Sequence, residues 1–158
     1  MTDNTIFIAR SADSCRRALD AGCGWIHCDD PAAVDSLIPL CRDADVIMTL
    51  GDDVDRVMST RVHGVILSPS AMAPKEAREF LGPHAVIGVE VATADQILAL
   101  APLDLDFFVL TASKSACGNI LREVREKGVE QRILSRFSDP EILEAGADGV
   151  LTDDINAF

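Results

Sequence analysis

The chain has 158 residues, 48% of them hydrophobic and 25% charged, with a formal charge of −12 from 14 Lys plus Arg against 26 Asp plus Glu. That length suits one globular domain, taken as residues 1–158, burying roughly two thirds of its unfolded surface. So acidic a surface repels phosphate backbones and anionic lipid, which argues against nucleic-acid and membrane partners.

Eight short apolar runs follow one another at a spacing of roughly twenty residues. They are Ile6–Ala9, Trp25–Cys28, Val46–Leu50, Gly64–Leu67, Ala85–Val89, Phe107–Leu110, Arg132–Ser135 and Gly149–Thr152. Helical spacing separates them: Ser11 caps a helix through Ala21, Asp30-Pro31 starts one through Leu40, and Thr93 opens another. Lys114 to Lys127 reads as a helix with a solvated face, and Asp139-Pro140-Glu141 opens the last one. Strand then helix, repeated, makes a parallel sheet; eight repeats in so short a chain predict a compact TIM (βα)8 barrel with short loops and a missing or vestigial last helix. The competing arrangement is a five-stranded doubly wound sheet. A glycine pattern reinforces the barrel. Ala21-Gly22-Cys23-Gly24-Trp25 and Ala145-Gly146-Ala147-Asp148-Gly149-Val150 match, with a degenerate copy at Val62-His63-Gly64-Val65. The strand positions Trp25, Val65, Phe107 and Val150 lie 40, 42 and 43 residues apart, as a two-βα unit used four times would place them.

Cys15, Cys23, Cys28, Cys41 and Cys117 are an odd number without Cys-x-x-Cys spacing and read as reduced, buried small side chains. His27-Cys28 has no further ligand nearby at zinc spacing. Met1-Thr-Asp-Asn-Thr shows no basic segment followed by an apolar core, and no run approaches the roughly 18 residues of a membrane span, so the expected compartment is the cytoplasm. With so short a closure after Thr152, Phe158 is expected to serve as an apolar plug or an interface anchor, and a homodimer is a natural assembly.

Barrels of this type bind ligands at the C-terminal ends of their strands. That mouth is expected to carry Arg10, Asp29, Asp30, Asp52, Asp53, Ser68, Ser70, Glu90, Thr111, Ser113, Lys114, Ser135, Arg136, Asp153 and Asp154. Within it, Gly51-Asp52-Asp53 offers oxygen ligands for Mg²⁺, with helix capping by Asp53 as the alternative. Lys114 and Arg136, helped by the hydroxyls of Thr111 and Ser113, can neutralise a phosphate or diphosphate, or else simply face solvent.

From about Leu37 to Ile155 the chain resembles the thiamine-phosphate synthases and their thiazole tautomerase (TenI-like) relatives. Asp52-Asp-Val-Asp, His63-Gly-Val-Ile-Leu, Pro74-Lys-Glu-Ala-Arg78 and Leu81-Gly-Pro-His-Ala-Val-Ile-Gly-Val89 fall in the family's order and spacing. The resemblance implies a (βα)8 barrel and a transferase that joins an aminopyrimidine diphosphate to a thiazole phosphate, with Mg²⁺ on the diphosphate and Asp52 as a metal ligand. Departures from the family pattern share one direction. Its second metal Asp falls at Ala71, its Gln-x-Arg-x-Lys strand end reads Ile26-His-Cys-Asp-Asp30, and its Gly-Gly-Ile cradle reads Ser135-Arg136-Phe137. The resemblance therefore implies an eroded phosphate site in a divergent, shortened member, acting on a small phosphorylated or heterocyclic ligand. The alternative is a non-catalytic barrel that binds a ligand or a partner.

Overall fold

A computed structural model describes residues 5–157 and shows the eight runs as strands of one closed barrel: β1 (Thr5–Ile8), β2 (Trp25–Cys28), β3 (Ile47–Gly51), β4 (Gly64–Leu67), β5 (Val86–Val91), β6 (Phe107–Leu110), β7 (Arg132–Ser135) and β8 (Gly149–Thr152). Each strand pairs in parallel with the next, and β8 closes on β1 through Thr5–Val150 and Phe7–Thr152. Between them run α1 (Ala12–Asp20), α2 (Val34–Asp43), α3 (Val54–Thr60), α4 (Pro74–Leu81), α5 (Ala94–Leu100), α6 (Lys114–Glu126) and α7 (Pro140–Ala145). The doubly wound alternative is not adopted. After β8 only a 3₁₀ turn, Ile155–Ala157, stands in place of an eighth helix. The readings of Met1-Thr-Asp-Asn and of Phe158 lie outside the described residues. No helix of the described residues is long and apolar enough to cross a membrane.

Alternation along each strand divides the apolar side chains into two clusters. Ile6, Ile8, Ile66, Phe107, Val109, Leu134 and Leu151 point into the barrel, joined by Trp25 and Val86. Their neighbours in sequence, such as Phe7, Ile26, Val65, Ile87, Phe108 and Ile133, point out beneath the helices. Phe107 fills the barrel and meets Trp25 edge to face at 5.4 Å. Room for that ring comes from Gly88, where an added Cβ would lie 2.2 Å from Phe107. All five cysteines are free and buried.

The repeat seen in the glycines recurs as a polar device under the barrel. Arg78 of α4 donates to the Gly82 and Ala85 carbonyls and to Asp106, which in turn accepts from the Ile87 N–H. One repeat later, Arg125 of α6 holds the Val129, Gln131 and Gly146 carbonyls and Asp148, which accepts from the Ile133 N–H. Each guanidinium thus satisfies backbone groups that a short turn leaves without ladder partners.

Several local expectations need correction. The second helix begins at Val34, because Asp30 accepts the Ala32 N–H and holds residues 31–33 in a turn. α3 ends on Arg61 in the left-handed region (φ 58°), so the degenerate copy of the glycine pattern caps its helix without glycine. Strand β1 runs Thr5–Ile8 rather than to Ala9, β3 shifts by one residue to end at Gly51, and β5 extends to Val91 by pairing with Leu110. The caps at Ser11, Asp53 and Thr93 form as read, each side chain accepting the N–H three residues on.

Candidate functional site at the barrel mouth

The inward-facing parity of the strands, continued one step beyond Ile8, His27, Thr49, Ile66, Val109, Leu134 and Leu151, brings Arg10, Asp29, Gly51, Ser68, Thr111, Arg136 and Asp153 to the mouth, with Glu90 of β5 among them. Arg10 spans part of this ring. Its Nε and Nη2 donate to the two oxygens of Asp29 at 3.2 Å each, and its Nη1 donates to Asp153 at 3.1 Å. The bridge ties the ends of β1, β2 and β8 and commits one of the mouth's cations to two acids.

Asp52 adopts the left-handed conformation (φ 57°), which short polar side chains tolerate. Its carboxylate accepts from the Ser68 N–H at 2.6 Å and the Ser68 hydroxyl at 2.7 Å, locking the β3 loop to the β4 loop. Asp53 is the cap of α3 through the Arg56 N–H. Toward Mg²⁺ the loop offers one carboxylate, Asp52, each of whose oxygens accepts a single hydrogen bond, while Ala71 supplies none, so a cation there would draw its remaining ligands from water and a bound phosphate.

The expected phosphate ligands separate. Thr111 donates its hydroxyl to the Val91 carbonyl at 3.1 Å, and Ser113 precedes α6 with its hydroxyl 3.3 Å from that of Ser115. Lys114 pairs with Asp139 at 2.8 Å, toward α7, and that partner raises its pKa. Arg136, by contrast, makes no ion pair or side-chain hydrogen bond among the described residues, and its charge is felt by both His27 and Glu90. Asp52 and Arg136 are therefore brought to one mouth, while Lys114 is held to one side.

Sequence reasoning considered His27 only as a metal ligand and missed its place in the site. The signal was the parity of β2, which puts His27 on the inward face and Cys28 on the outward one. His27 is buried, at 5% exposure, and its Nδ1 lies 2.9 Å from the Thr49 hydroxyl, which also accepts the Trp25 indole N–H at 3.1 Å. An indole N–H can only donate, and the fully buried Thr49 proton has no other acceptor among the described residues. Thr49 therefore donates to Nδ1, and the ring proton sits on Nε2. Burial pushes the His27 pKa down to about 4, so the imidazole is neutral at physiological pH. A side chain on Gly51 would begin 3.8 Å from Nε2 and 3.4 Å from the Asp29 Cβ, so glycine leaves a slot over the ring. Glu90, half-buried and without a hydrogen-bond partner among the described residues, has its pKa raised by burial and then by Asp52, with Arg136 opposing. A neutral N–H donor, an unpaired carboxyl and an unpaired guanidinium thus face one opening, and desolvated titratable groups of this kind mark functional sites.

The sequence comparisons point in one direction. A sequence model described as thiamine monophosphate synthase matches residues 2–116. The thiamine-phosphate synthase of Bacteroides thetaiotaomicron is 27% identical over 165 aligned residues, covering 87% of this chain and 79% of its own length. That of Bacteroides fragilis (strain ATCC 25285) is 27% identical, with 87% and 81% covered. Among solved structures, thiamine phosphate pyrophosphorylase from Pyrococcus furiosus superposes with a TM-score of 0.78 over 93% of this chain and 83% of that one, at 22% identity, a likeness of fold. The family match spans β1 to β6 and stops at Ala116, ahead of Arg136. On the strength of that match, the chain belongs to the thiamine monophosphate synthase family.

Proposed function

We propose that this single barrel domain binds a small heterocyclic molecule bearing one phosphate or similar anionic group, in thiamine-related metabolism, with Arg136 as the anion's anchor. Thr111 and Ser113 stand on the neighbouring β6–α6 turn, Lys114 is held away by Asp139, and His27 offers its Nε2–H to a ring nitrogen or carbonyl oxygen of the heterocycle. The observation that carries this reading is the state of the mouth's cations. Arg10 is shared by two carboxylates and Lys114 is paired, which leaves Arg136 alone to meet an anion. One free guanidinium suits one phosphate. A diphosphate would bring several negative charges toward Asp29, Asp52, Glu90 and Asp153, each repulsion amounting to about 1 kcal/mol or more. Asp52 is the residue that would hold a Mg²⁺ carried in by such a ligand.

The second reading, a binding protein without catalysis, is favoured by the same neutralised cations, since expelling a diphosphate leaving group needs more positive charge than the mouth offers. Both readings share the anchor. Titrating the protein with inorganic phosphate, followed by the amide NMR shifts of the β7–α7 turn, tests it. Arg136→Ala is expected to weaken binding by about tenfold or more, as loss of a charge-assisted hydrogen bond does, while Lys114→Ala leaves it nearly unchanged. Equal weakening by both variants, or by neither, contradicts the assignment.

A further inference from the structure

Beside the mouth, between the barrel wall and the helical layer, lies a crevice of about 430 Å³. Its floor is made by outward-facing side chains of two strands, Leu67 of β4 with Val89 and Val91 of β5, and Met72 and Leu100 stand over it. The volume is within the range that holds a one- or two-ring molecule. Its polar groups are few and unequal. Ser68 is already committed to Asp52 through both its N–H and its hydroxyl. Gln96 of α5 accepts the Ala92 N–H on its amide oxygen at 2.7 Å. Ser68 and Glu90 both border the crevice and the mouth, and of the two only Glu90 has a side chain unpartnered among the described residues. That carboxyl is half-buried, close enough to Asp52 and Asp29 to feel both, and opposed only by Arg136. An apolar trough ending on an unpaired acid in an acidic surround is complementary to an apolar body with a cationic head.

We propose that this crevice is a second binding subsite, taking the apolar body of a small protonated amine or amidine whose head rests on Glu90. It goes beyond the anion site at Arg136 and does not depend on it, since its ligand needs no phosphate. Position 99 on the α5 wall is exposed, so it can be enlarged without disturbing the core.

The experiment uses benzamidine as the cationic probe and benzyl alcohol as its neutral counterpart, with binding read from ligand-observed NMR and from the methyl shifts of Met72 and Leu100. Benzamidine is expected to bind at least tenfold more tightly than benzyl alcohol, as a charge-assisted contact implies. Glu90→Gln is expected to abolish that preference, and Ala99→Trp to abolish binding of both probes while phosphate binding at Arg136 persists. Unchanged benzamidine affinity in Glu90→Gln, retained binding in Ala99→Trp, or absence of any shift at Met72 and Leu100 would overturn the proposal.

Discussion

Replacing Gly64 with alanine is expected to destabilise the barrel by about 3 kcal/mol or more, at the upper end of what overpacking a close contact costs, whereas the same change at Gly24 costs little. Both glycines precede or begin strands in the same repeated pattern, yet the structure distinguishes them. A Cβ on Gly64 would lie 1.8 Å from the Val86 carbonyl oxygen and 2.8 Å from the Val86 nitrogen, on the strand that pairs with β4. Backbone cannot swing aside as a flexible side chain can, so β4 and β5 would have to separate and lose ladder hydrogen bonds. An added Cβ on Gly24 meets nothing within 4 Å. Its φ lies outside the left-handed range as well. Urea denaturation of the two variants beside the parent measures the difference. Equal stability losses would show that the close approach of β4 and β5 at Gly64 is not a constraint on the fold.

His27 is expected to make the protein acid-labile in a defined window. Its folded pKa, about 4, lies below the ordinary value of 6.5, so the unfolded chain takes up the proton first as pH falls. The stability associated with a neutral His27 is therefore complete above about pH 6.5 and is lost progressively toward pH 4. The shift corresponds to about 3 kcal/mol across that window. Glu90 contributes with the opposite sign, since its folded pKa is raised, so the comparison must isolate the histidine. In His27→Gln, the dependence of unfolding free energy on pH between 7 and 4 is expected to be shallower than in the parent by about that amount. Parallel curves for the two proteins would contradict a buried, neutral imidazole.

The barrel was legible because its strands are separated by segments too short for anything but a helix and two turns, and because every strand, covered on both faces, reads as a continuous apolar run. The caps at Ser11, Asp53 and Thr93 were legible for a similar reason: each is satisfied by an N–H three residues away. What escaped reading depends on partners distant in sequence. Lys114 looked like a phosphate ligand until Asp139, brought alongside by the packing of α6 and α7, paired with it. Arg10 was legible as a mouth residue, but its pairing with Asp153 follows only from barrel closure. His27 acquires its tautomer from Thr49 on the neighbouring strand, and the slot above it from the side chain that Gly51 lacks. Such features follow from the register of β2 against β3, where His27 lies opposite Thr49, rather than from local composition.

In the function proposed here, the mouth serves a ligand with one anionic group, through Arg136, and not a metal-bound diphosphate. Calorimetry with a thiazole monophosphate and with an aminopyrimidine diphosphate, each with and without Mg²⁺, tests it most directly. The monophosphate is expected to bind without Mg²⁺ and to lose about tenfold or more in affinity in Arg136→Ala, with the diphosphate binding more weakly under both conditions. Tighter binding of the diphosphate that requires Mg²⁺ and disappears in Asp52→Ala would contradict it.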